Sequence, residues 1–123
     1  MIPGVNAVRI DPDGTRSNLP LPGRWLEREQ MLRDDLGGTP RHAHYAVRGS
    51  TRGLCVITLH PDDAVVLPRN LVTERFLAAS AHAGPAGLRG VAVLLGSSYP
   101  SGARLVADFP EELRARLHSL TAN

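Results

Sequence analysis

Apolar and polar positions alternate along this chain in short blocks punctuated by proline and glycine. Residues 5–10 form a β-prone stretch that runs into Asp11-Pro12-Asp13-Gly14, where Pro pre-sets φ and Gly accepts a positive one, so a turn and a return strand over 15–19 are predicted. Over 24–36 the period changes to that of a helix. Trp25, Leu32 and Leu36 share a stripe with Leu26 beside it, Glu27, Arg28, Arg33 and Asp34 lie mostly away from it, and Gly37-Gly38 supplies the stop. The alternating segment 41–47 and the nearly continuous apolar run 54–60 read as two strands joined by the polar, glycine-bearing loop 48–53.

Pro61-Asp62-Asp63 reads as a turn, followed by a short strand over 64–67 that Pro68 halts. Asn70 is placed to cap a helix over 71–82, which Gly84-Pro85-Ala86-Gly87 ends. Residues 90–96 (Gly-Val-Ala-Val-Leu-Leu-Gly) are the most hydrophobic segment and are expected as a central strand buried on both faces. A loop over 97–102 and a little extended chain over 103–106 follow. The last helix starts near Asp108, with Pro110 and the acids Glu111 and Glu112 in its first turn and Leu113, Leu117 and Leu120 on one face. The order of elements predicts an α+β fold: one small domain over 1–123, with a mostly antiparallel sheet covered by two or three helices.

Composition narrows the chemistry. The chain has 123 residues, enough for one core, with 42% hydrophobic residues but only 4% aromatic ones, so Leu, Val, Ile and Ala must build the interior. All 14 basic residues are arginine. With abundant Ala, Gly and Pro, that points to a GC-rich bacterial genome more than to phosphate recognition, because the arginines are scattered and the net charge is only +2. The single cysteine, Cys55, sits in the apolar run Leu54-Cys55-Val56-Ile57 and is expected to be a buried, inert thiol. The N-terminus lacks a basic region followed by an apolar core, and no apolar run approaches the ~20 residues of a membrane-spanning helix, so a cytoplasmic protein is expected.

Leu32 through Gly37-Gly38, the turn Pro61-Asp62-Asp63, Pro68-Arg69-Asn70, the segment 90–96 and Phe109-Pro110-Glu111-Glu112-Leu113 together resemble a family of small bacterial, plasmid and phage proteins, domain of unknown function 3846. His42, His44 and the Arg24-Trp25 opening depart from its pattern. The resemblance implies a mobile-element setting, a small accessory protein acting on host machinery, and no catalytic or binding residue to carry over.

Dinucleotide, P-loop, Cys-x-x-Cys, nucleophile-elbow and His-Glu-x-x-His motifs are all missing. Gly96-Ser97-Ser98 reads as a surface loop rather than an anion cradle, and the paired acids Asp34-Asp35, Asp62-Asp63 and Glu111-Glu112 read as turn or helix-start residues. His42-Ala43-His44 stands out, because alternate residues of a strand share a face. A hairpin loop centred on Ser50 would set His42 opposite Thr58 and His44 opposite Val56, with His60 on the same face and Ala43, Tyr45, Val47, Cys55, Ile57 and Leu59 on the other, the expected core face. That face is expected to hold no metal, since no residue is evident to orient the imidazoles.

His42, His44 and His60, with Arg69 and Asn70, are the candidate ligand or interaction surface. No catalytic residue, metal or cofactor is predicted. The expected function is non-enzymatic binding of a host protein or small ligand. The alternatives are a nucleic-acid accessory protein using its arginines, or a metal-dependent hydrolase built on the histidine face.

Overall fold

Proline and glycine place the turns between strands. The computed structural model describes residues 3–50, 52–81, 87–97 and 106–120. Strands β1 (Val5–Ile10) and β2 (Arg16–Leu21) pair antiparallel around the predicted turn, in which Gly14 takes φ +91° and donates to the Asp11 carbonyl at 2.9 Å. Helix α1 (Trp25–Leu36) ends at Gly37, whose left-handed conformation (φ +84°) lets its N–H reach the Arg33 carbonyl. Strands β3 (Pro40–Ala46) and β4 (Gly53–Leu59) form the predicted hairpin. They are followed by the single turn α2 (Pro61–Ala64), α3 (Leu71–Ser80), β5 (Ala92–Ser97), β6 (Val106–Ala107) and α4 (Glu111–His118).

The six strands make one antiparallel sheet in the order β2-β1-β5-β4-β3, with β6 pairing the far end of β5. β5 is central and wholly buried, as its unbroken hydrophobicity predicts. Successive residues of β5 feed opposite layers: Leu94 joins Val56, Phe76 and Leu113 beneath α3 and α4, while Val93 and Leu95 join Cys55, Ile57, Leu32 and Leu36 beneath α1. The result is an α+β domain with helices on both faces of its sheet.

Three expectations need correction. The hairpin is centred between Gly49 and Ser50, half a position earlier than expected, because Gly49 takes φ +70° and Val47 closes the loop by donating to the Arg52 carbonyl at 3.2 Å. His42 therefore faces Ile57 and His44 faces Cys55, and a one-residue slip moves a whole side-chain set to the other face. The predicted strand at 64–67 does not form. Pro61 starts a helical turn instead, the Asp62 N–H donates to His60 Nδ1 at 3.3 Å, and Val65 and Val66 are left 68% and 86% exposed. On α1, Arg28 rather than Leu26 belongs to the buried stripe: Arg28 is 4% exposed and Leu26 80%. The end of the predicted 71–82 helix at His82, the stop at 84–86, the loop beyond Ser97 and the extended stretch at 103–105 lie outside the described residues.

Candidate functional site

The corrected register brings His42 and His44 together, but on the α1 side of the sheet. His42 Nδ1 and His44 Nε2 each lie 4.0 Å from Cys55 Sγ. Glu29 on α1 approaches the other ring nitrogen of His42, Oε1 to Nε2 2.6 Å, a close polar contact without the alignment of a hydrogen bond. The half-buried Trp25 ring lies 5.7 Å from that imidazole with the Arg28 guanidinium 5.2 Å from its own centre, so Trp25 packs on the edge strand and not in the core. Glu29, placed one helical turn after Trp25, was missed because its partner depended on the register.

This seam is built to hold α1 rather than to react. Burial pushes the Cys55 thiol up to about 12, with Arg28 pulling it down and Glu29 adding to the rise. A thiol so seldom ionised, with no exposed surface, is no nucleophile. Burial also lowers His44, and the neighbouring His42 lowers it further. His60 does not join the pair. It stands past the end of β4, exposed, at the start of α2 and 3.7 Å from Asp62, so the three-histidine face does not assemble. Among the described residues no three His, Cys, Asp or Glu side chains are grouped closely enough to hold a metal ion.

A second site lies on the other side of the hairpin. Where the open end of β3 and β4 meets α2 and the segment 87–89, a cavity of about 320 Å³ is lined by Arg41, Thr58, Leu59, Pro61, Ala64, Val65, Gly87, Leu88 and Arg89. A smaller pocket of about 60 Å³ shares Arg41, Thr58 and Leu88 with it and lies against Ala43, Tyr45 and Val56. Arg41 and Thr58 are direct cross-strand partners, so the hairpin register sets them side by side. Burial raises the Tyr45 phenol, with Arg41 acting against that rise.

Arg69 and Asn70 build the walls of this cleft and do not line it. The Asn70 side chain is fully buried. Its Oδ1 accepts from the Thr73 N–H at 3.2 Å, capping α3, while Nδ2 donates to the carbonyls of Ile10 (2.9 Å) and Gly90 (3.0 Å). Its own N–H donates to the Leu88 carbonyl at 2.7 Å. Gly90 is required here: at φ +78° a Cβ would also stand 2.8 Å from Leu67 Cδ1. Arg69 grips Glu74 at 2.8 Å, which holds that carboxyl below its usual range, and Glu74 in turn accepts from the Gly87 N–H at 3.2 Å. Asn70 and the Arg69–Glu74 pair thus fix the 87–90 segment from both ends. Arg89 reaches the cleft from that segment. Its only sequence signal was an arginine just before a buried strand.

No family model, no curated protein and no solved structure matches this chain, so the resemblance to domain of unknown function 3846 rests on its short motifs alone.

Proposed function

We propose that this protein is a non-enzymatic binding protein that takes a small ligand in the cleft between the β3–β4 hairpin, α2 and residues 87–89. The observation that carries the reading is the composition of the walls. They are about evenly polar and apolar, with two guanidinium groups and one hydroxyl beside Leu59, Ala64 and Leu88, a mixture suited to small-molecule recognition, and at about 320 Å³ the volume falls at the compact end of such sites. They hold no His, Cys, Asp or Glu among the described residues, so the described walls have the means to hold a ligand but no carboxylate, imidazole or thiol to transform one.

The nucleic-acid alternative draws less support. Arg9, Arg52, Arg69 and Arg114 each lie against a carboxylate, which compensates their charge where it stands. No helix among the described residues is long and apolar enough to cross a membrane. The setting belongs to the same proposal: a cytoplasmic accessory protein of a GC-rich bacterial, plasmid or phage genome.

Titration of the isotope-labelled protein with a set of small neutral and charged fragments tests the reading. Amide shifts should cluster at Thr58, Ala64 and Leu88–Arg89. Shifts confined to Trp25, Leu26 and the start of α1 would overturn it and move the binding surface to that exposed apolar corner.

A further inference from the structure

The ligand's chemical class follows from which charges in the cleft are left uncompensated. Arg41 stands on an edge strand, and no carboxylate among the described residues lies within ion-pair distance of it. Arg89 spends one Nη1 hydrogen on the Leu67 carbonyl at 2.8 Å. That bond aims the guanidinium without neutralising it, since a carbonyl carries no net charge and an arginine has five donors. The contrast with Arg69, on the adjoining bridge to Arg89, is direct: its charge is consumed by Glu74.

Two cations therefore line one concave, partly apolar space together with Thr58, the cross-strand partner of Arg41, and the hydrophobic side chains of Leu59, Ala64 and Leu88. Two like charges facing a common cavity repel each other, and an oxyanion between them relieves that repulsion while accepting charge-assisted hydrogen bonds. The small pocket beyond Arg41, about 60 Å³ against Ala43, Val56 and Tyr45, leaves room for a short apolar branch.

Resting on the small-ligand reading above, we infer that the cleft binds a compact organic oxyanion, a carboxylate or phosphate head between Arg41 and Arg89 carrying an apolar body. A polyanion is disfavoured by the size of the cavity and by the apolar side chains around it. Arg41 and Arg89 supply affinity for the head, and the Leu59–Ala64–Leu88 wall takes the body.

Three probes of nearly the same shape decide it: benzoate, phenyl phosphate and the neutral benzamide, each titrated into the full chain at fixed ionic strength. At least one acid should bind about tenfold or more tighter than benzamide, with shifts at Thr58, Leu88 and Arg89. Which acid wins identifies the head. Arg41→Gln should cost that acid about tenfold and leave benzamide unchanged. Because Arg41 is exposed and its side chain makes no hydrogen bond among the described residues, an unaltered melting curve is expected for this variant. Arg89→Gln should weaken the acid similarly, but it also loses the bond to Leu67, so Arg41→Gln is the deciding variant. Benzamide binding in the cleft as tightly as both acids overturns the oxyanion inference and leaves the small-ligand reading standing. No response at the cleft from any of the three, with the fragment set also silent there, overturns both.

Discussion

The two faces of the sheet are covered by different chemistry. Under α3 and α4 the contacts are hydrocarbon: Val72, Phe76 and Leu77 from one helix and Leu113 and Leu117 from the other close over Val8, Val56 and Leu94, with Phe76 and Phe109 rings 5.9 Å apart. Under α1 only Leu32 and Leu36 are deeply buried apolar residues of the helix, and polar contacts do much of the rest. Asp35 takes Arg9 of β1 at 2.7 Å, and Glu29 takes His42 of β3 at 2.6 Å. Apolar burial is non-directional and adds with area, whereas partly exposed ion pairs contribute modestly and depend on pH and salt. One face therefore carries the stability, and the other holds its helix by contacts that conditions can change.

Truncation at matched aromatic positions should expose that difference most strongly. Phe76 is fully buried, and Phe76→Ala should cost about 3–5 kcal/mol in denaturant unfolding. Trp25→Ala removes a larger ring but one that is only half-buried on the α1 face, and it should cost less. Equal losses would mean that α1 is as firmly seated as α3.

Next in size is Asn70→Ala. The change removes the cap of α3 and leaves the buried carbonyls of Ile10 and Gly90 without their donor. Losing a cap and stranding buried acceptors together should cost about 2–4 kcal/mol. Shifts of the Leu88–Arg89 amides should accompany the loss, because that segment hangs from Asn70. A loss under about 1 kcal/mol would mean that another group takes over both carbonyls.

How much of this was legible in the residues depends on the range of the interactions involved. The fold was: the period-two and period-3.6 patterns, Gly14, Gly37 and the capping Asn70 are local signals, and they placed most elements. Pro61 predicts a turn because a single helical turn and a turn share the same proline-and-acid signature. The candidate site was legible in part. His42 and His44 do share a face, as alternation requires, yet which face depends on a hairpin centred at 49–50 rather than at Ser50, and a half-position in a loop has no strong sequence mark. Arg69 and Asn70 were in the right neighbourhood with a different role. Arg41 and Arg89, 48 positions apart by number, meet only once the sheet and α3 have formed, so no local pattern joins them.

The smallest expected effect is the one that most sharpens the contrast between faces. His44 lies against Cys55 beside His42, and burial first, then His42, lowers its pKa below the ordinary 6.5. Above pH 6.5 the ring is neutral in folded and unfolded chains alike and makes no pH-dependent difference. As pH falls below 6.5 the unfolded chain takes up the proton first, so stability declines, and it levels off once the folded ring is protonated too. Glu74 works in a separate window: its lowered pKa contributes stability that is present above its ordinary 4.5 and lost as pH falls below it. His44→Gln should therefore leave stability at pH 8 nearly unchanged and flatten the profile just below pH 6.5, while the acid limb below pH 4.5 persists. Parallel profiles for the variant and the parent between pH 7 and 5 would show that the α1 face does not sense protons through His44.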